Sequence, residues 1–164
     1  AVSAVTRAAR EAGFRTLVHR QALTGEAREE GKRFGTLARN MVREHKPLQK
    51  PCCVVAGGET TVTVTGKGTG GRAQEFAAAA ALEIDGLAKV WTVAIGTDGT
   101  DGPTDAAGAV VDGHTVARAQ RLSVDLKGAL TRHDTYPALK TLQQLIITGP
   151  TGTNVNDLYL LLVL

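Results

Sequence analysis

The sequence predicts an α/β protein, a layered α/β/α domain built on a mixed, Rossmann-like sheet. Three observations predict it. Apolar runs of strand length, Cys52 to Ala56, Val90 to Ile95 and Leu158 to Leu164, alternate with stretches whose apolar residues recur at helical spacing. The helical faces are built from small residues suited to lying close on a sheet. Glycine-rich segments punctuate the ends of the apolar runs, where open α/β sheets bind ligands.

In chain order, Val2, Val5, Ala8, Ala9 and Ala12 fall on one helical face, and Gly13 marks its end. Phe14 to Val18 reads as a short strand. Between Gly25 and His45 the residues Phe34, Leu37, Ala38, Met41 and Val42 hold the spacing of one buried helical stripe, which Pro47 terminates. Cys52 to Ala56 is a buried strand, and Thr60 to Thr65 alternates β-branched residues like a second one. Arg72 to Ile84 is a helix with the narrow face Ala73, Phe76, Ala77, Ala80, Ala81 and Ile84. Val90 to Ile95 is a fully apolar strand, followed by a polar loop reaching Gly108. Short helical patterns occupy Thr115 to Leu145, and Leu158 to Leu164 closes the sheet.

A chain of 164 residues suits one domain, with 1–56 packed on a core of 57–164. Hydrophobic residues at 43% and charged ones at 21% argue against disorder, and aromatics at 4% leave alanine and glycine to pack the interior. The net charge of +3 comes from cations spread along the chain without aromatic interleaving, so nucleic acid is not expected as a partner. Without a long apolar stretch or a signal pattern, a soluble cytoplasmic protein is expected, with no membrane partner. Adjacent Cys52 and Cys53 read as buried thiols in a reducing compartment. The chain begins at Ala1 and its only methionine is Met41, so it reads as a fragment or a processed product.

Four segments can carry chemistry: Gly57 to Thr61, Gly66 to Arg72, Gly96 to Gly102 and Gly149 to Asn154. Gly66, Gly68 and Gly71 have the spacing of a dinucleotide fingerprint, but they follow a half-exposed run and no acid closes the next strand. What survives is an anion preference at free N–H groups of a helix start, reinforced by Arg72; the alternative is a solvated helix arginine. Asp98, Asp101 and Asp105 either supply hard oxygens for Mg²⁺ or sugar-acid hydroxyls, or form Asx turns with Asp105 capping a helix. His19, His45, His114 and His133 show no metal-ligand spacing and read as surface or packing residues.

The strings Gly57-Gly58-Glu59-Thr60-Thr61-Val62, Gly70-Gly71-Arg72-Ala73-Gln74-Glu75, Gly96-Thr97-Asp98-Gly99 with Gly102 to Gly108, and Thr151 to Asp157 together resemble the MOFRL domain of the glycerate 2-kinase family. Many members of that family are labelled hydroxypyruvate reductase. Ala73 departs from the asparagine usual there. The resemblance implies transfer of phosphate from ATP, with Mg²⁺, to the 2-hydroxyl of D-glycerate. The cleft would lie against a larger amino-terminal domain, absent from this sequence, that supplies a lysine. Arg72, at a helix start approached by glycines, and Asp98, which leaves an apolar strand into a glycine loop, are the expected catalytic residues. Gly58, Glu59, Gly70, Gly71, Arg72, Thr97, Thr151, Thr153 and Asn154 are the expected binders of substrate or phosphate, and Asp98 with Asp101 the expected metal ligands. Two alternatives stand beside it: an NAD(P)H-dependent hydroxypyruvate reductase, and a non-catalytic module binding a small anion or a partner chain. Homo-oligomerisation is left open.

Overall fold

The computed structural model describes all 164 residues. Six strands form one mixed sheet, in the order β1-β2-β6-β3-β4-β5. These are β1 (Arg15–Val18), β2 (Cys52–Gly58), β3 (Val90–Gly96), β4 (Gly108–Asp112), β5 (Leu145–Ile146) and β6 (Asp157–Val163). Only β1 and β2 run parallel; every other neighbouring pair is antiparallel. The sheet is thus mixed, as the sequence predicts, with antiparallel pairing predominating. Because β1 and β2 hydrogen-bond into the same sheet as the later strands, residues 1–56 are built into the central layer as well as packed on it.

The helices are α1 (Val2–Glu11), α2 (Ala27–Glu44), α3 (Arg72–Glu83), α4 (Thr115–Arg121), α5 (Leu126–Thr131) and α6 (Thr135–Thr141). One sheet face, carrying Cys52, Val54, Ala56, Val90, Ala94, Tyr159 and Leu161, joins the main core under α2, α3, α5 and α6. On the other face α1 lies over β2, close enough that a β-carbon on Gly57 would come within 2.8 Å of Val2.

Helix α3 is the centre of this packing. Every residue from Ala73 to Ala81 is buried, because α2 covers the side of α3 that the sheet does not. That close approach depends on Gly31 and Gly35 of α2: a β-carbon on Gly31 would stand 2.2 Å from the Phe76 carbonyl oxygen, and one on Gly35 would meet Glu83. Phe34 stacks edge-on against Phe76, which in turn rests on Tyr159.

Two local expectations are corrected. Thr60 to Thr65 is not a strand, apart from a single bridge between Thr61 and Glu26. Its alternation suits an extended backbone, but the run lies past the end of the β2–β6 ladder and bonds instead to the segment entering α2: Thr61 N donates to Gly25 O at 2.7 Å, Ala27 N to Thr61 O at 2.8 Å, and Thr63 N to the Glu26 carboxylate at 3.1 Å. Asp105 caps no helix: it accepts from the Tyr136 hydroxyl at 2.7 Å, and the chain continues into β4. The strand β4 itself is announced only by Ala109, Val110 and Val111, too short an apolar run to stand out after the polar loop.

Candidate functional site

The carboxyl ends of β2 and β3 and the start of β6 meet, since Asp157 is the register partner of both Gly58 and Gly96. Helix α3 begins beside them. Between these elements lies a cleft of about 580 Å³ lined by Thr60, Gly70, Gly71, Arg72, Glu75, Asp98, Asp101 and His133 among others.

Arg72, in the first turn of α3, is not a solvated helix residue. Its Nε donates to Asp157 Oδ2 at 2.7 Å and its Nη2 to Asp157 Oδ1 at 3.0 Å, a fork-to-fork pairing. Its Nη1 donates to Glu59 Oε1 at 3.0 Å. The partners differ in character, since Asp157 is 1% exposed and Glu59 is 56% exposed. The hydrogen bond to Asp157 raises the already high pKa of Arg72, so the guanidinium stays charged. Behind it, the Tyr159 hydroxyl donates to Asp157 at 3.1 Å and pairs with the Thr60 hydroxyl at 3.0 Å; burial pushes that phenol well above its ordinary range.

The helix start differs from the sequence-based expectation of free N–H groups. Asp101, buried in the loop after β3, accepts from Ala73 N at 3.0 Å and from Gln74 N at 2.9 Å. It is a cap delivered from another loop, and an internal anion already occupies much of the helix terminus. Gly71 makes room for it, because a β-carbon there would sit 2.3 Å from Asp101 Cγ. Burial raises the Asp101 carboxyl, while the two backbone donors pull it down. Expected as a metal ligand with Asp98, Asp101 instead spends both oxygens on the helix.

Asp98 forms an Asx turn at the cleft. Its Oδ1 accepts from Thr100 N at 3.0 Å, an Asx turn, and the residue also lines the cleft. No cluster of three or more histidine, cysteine, aspartate or glutamate side chains is grouped to hold a metal ion. A magnesium ion here would therefore take one or two carboxylates at most and draw its other ligands from water and phosphate, which is how Mg²⁺ commonly binds.

The remaining predicted binders divide. Gly58 ends β2 against the backbone of Leu23, and Gly70 lies on the cleft wall. Thr97, Thr151, Thr153 and Asn154 instead tie two exposed loops together. The Thr97 hydroxyl donates to Asn156 O at 2.7 Å and accepts from Val155 N at 2.9 Å. Thr151 bonds Thr97 O and Thr153 O, its backbone N–H reaches Asp98 O at 3.1 Å, and Asn154 accepts from Asn156 N. These four shape the loop that carries Asp98.

The run Gly66 to Gly71 has no strand before it and packs along the junction of α5 and α6, with Thr69 N donating to Asp134 at 2.9 Å and Tyr136 N to Thr69 O. Its glycines serve close backbone contact there, since β-carbons on Gly68 and Gly70 would strike Arg132 and Thr135.

Sequence reasoning misses Asp157 as a site residue, and it misses a buried pair, Glu75 and His133. Their side chains are 2% and 3% exposed, with His133 Nδ1 2.6 Å from Glu75 Oε1. A signal existed for Glu75: a carboxylate beside an all-small helical run that is buried on every side needs a partner. Neither for Asp157 nor for His133 is there a local signal, as they meet their partners across 85 and 58 residues.

The MOFRL family profile matches residues 52–157. A protein named D-glycerate 2-kinase from Thermotoga maritima is 45% identical over 94% of this chain, which spans 37% of that relative. A protein from Agrobacterium vitis with hydroxypyruvate reductase in its name is 39% identical over 99% of the chain, here 43% of the relative. The crystal structure of glycerate kinase from Thermotoga maritima superposes with a TM-score of 0.97 at 43% identity, covering 99% of this chain and 39% of that one. This chain thus spans less than half the length of the curated relatives it matches. By its sequence and its fold, the chain belongs to the MOFRL family.

Proposed function

We propose that this chain forms one wall of the active site of a glycerate 2-kinase, which transfers phosphate from ATP to the 2-hydroxyl of D-glycerate. The observation that carries the reading is the state of Arg72. Three of the five N–H donors of its guanidinium are spoken for, two of them by a buried carboxylate that fixes its plane at the edge of the cleft. A positioned fork with donors to spare suits a phosphate or carboxylate oxygen, and exposed Glu59 is the partner that such an anion would displace.

The wall carries more negative than positive groups, with Glu75, Asp98 and Asp101 lining it beside Arg72. A polyanionic substrate would need further positive charge. In this reading it comes from Mg²⁺ held at Asp98, which when bound neutralises phosphate charge, and from a lysine in the portion of the enzyme that this chain does not span. Asp101 keeps α3 in register, Asp157 aims Arg72, and the Thr97 to Asn154 loop pair holds Asp98 in place. The cleft between the two portions would be completed by that other domain. Two adjacent cysteines, both free and buried, accord with a cytoplasmic setting.

The reductase reading has less support, because the glycine spacing at Gly66 to Gly71 neither follows a strand nor faces an open helix terminus. The deciding experiment takes the complete enzyme, this chain joined to the amino-terminal portion that its relatives have, and follows ADP release with glycerate and NADH consumption with hydroxypyruvate. ADP release that depends on both glycerate and Mg²⁺ is expected. Turnover of NADH without it would overturn the proposal.

A further inference from the structure

Glu75 lies in the first turns of α3, and its Oε2 is buried without a hydrogen-bond partner, 3.9 Å from Arg28 Nε. Burying a carboxylate beside a run of alanines costs several kcal/mol unless it is paired. Its partner is His133, at the turn between α5 and α6, whose Nδ1 lies 2.6 Å from Glu75 Oε1. The other ring nitrogen, Nε2, lies 3.2 Å from the hydroxyl of exposed Thr65, and both His133 and Glu75 line the cleft. Arg28 of α2 places Nη2 3.5 Å from one ring nitrogen and 3.4 Å from the other.

A carboxylate against Nδ1 holds the proton there, so the neutral ring presents Nε2 as an acceptor. A buried acid orienting an imidazole on a cleft wall, its other nitrogen on a hydroxyl from the adjoining depression, is the arrangement of a general base. Arg28 and Glu75 thus face the ring from two sides with opposite charge. Glu26, at the start of α2, is a second carboxylate on this side of the molecule, held below the usual carboxylate range chiefly by its hydrogen bond from Thr63.

We infer that His133, oriented by Glu75, is the base that receives the proton of the acceptor alcohol, with Thr65 holding that place when no alcohol is bound. This rests on the phosphotransfer reading above. The alcohol O–H bond breaks as its oxygen bonds the terminal phosphorus. The bond from that phosphorus to the leaving nucleoside diphosphate breaks, and the proton passes to Nε2, giving an imidazolium beside ionised Glu75. Thr65 is a place-holder outside the reaction.

Two measurements test it. In this chain, nitrogen-15 NMR of the imidazoles should show His133 as the Nδ1–H tautomer in the neutral form, and Glu75→Gln should disturb it. A neutral ring protonated on Nε2 would overturn the proposal whether or not the enzyme phosphorylates glycerate. In the complete enzyme, His133→Gln should lower kcat by about 10²- to 10⁴-fold and abolish the loss of activity on the acid side of the pH profile. Thr65→Val should keep kcat within a few-fold. Near-wild-type kcat with an unchanged acid limb in His133→Gln would sink it. A complete enzyme that ignores glycerate but retains the Nδ1–H tautomer would instead count against the phosphotransfer reading.

Discussion

Replacing Arg72 by alanine should unsettle the fold as well as the site, and the structure says how to separate the two effects. The substitution strips Asp157 of both its guanidinium donors and leaves a carboxylate that is 1% exposed with only the Tyr159 hydroxyl. Breaking a fully buried ion pair costs about 3–5 kcal/mol. Arg72 is itself 35% exposed and water screens its half of the interaction, so about 2 kcal/mol is the appropriate figure. For a chain of this length that corresponds to a fall of about 4–8 °C in Tm, followed by circular dichroism on the 164-residue protein. Adding Asp157→Asn should restore at least half of the lost stability by removing the orphaned charge. Kinase activity in the complete enzyme should stay low in both variants, because the fork is gone from each. Arg72→Lys should lie between, since an ammonium cannot span two carboxylate oxygens in parallel. If Arg72→Ala melts with the wild type, or if Asp157→Asn deepens the loss, Asp157 is not the anchor of this arginine.

Gly31→Ala would drive a β-carbon into the Phe76 carbonyl at 2.2 Å and should cost about 3 kcal/mol, read as a lower urea midpoint at unchanged slope. Asp101→Ala should cost about 2 kcal/mol by uncapping α3, in the same assay. Burial raises the Asp101 carboxyl above 3.8, so the folded state binds its proton more tightly than the unfolded state. The Asp101 contribution therefore falls as pH rises through the folded pKa, and the wild type should gain on Asp101→Asn as pH drops from neutrality toward 3.8. Cys53, its thiol pushed up to about 11 by burial, should resist a disulfide reagent at pH 8 until the protein is unfolded; prompt labelling of the native chain would contradict that burial.

What the sequence makes legible is periodicity and punctuation. The stripes of α2 and α3 appear where the spacing of Phe34, Met41, Phe76 and Ile84 places them, and Arg72 stands at the helix start that its preceding glycines mark. Strand character at Thr60 to Thr65 misleads because an extended backbone becomes a strand only where a partner strand runs beside it, and here the neighbour is the short segment entering α2. The site is less legible for the same reason. Asp101 has the look of a metal ligand from its neighbours in the loop, but its task is set by a helix end 28 residues earlier in the chain. His133 sits in an ordinary polar turn between short helices, and only tertiary packing brings Glu75 to it.

Strand β6 follows all the others in sequence yet lies third in the sheet, between β2 and β3. Without it, β1 with β2 and β3 with β4 and β5 would be two separate pieces, each with an open edge beside the other. The first residue of the same strand is Asp157, which aims Arg72. Completion of the backbone ladder and orientation of the arginine are thus one event in time: a chain emerging during synthesis has no aligned arginine until β6 has slotted home. A partly folded intermediate with the halves unjoined would expose sticky strand edges and have no organised anion site.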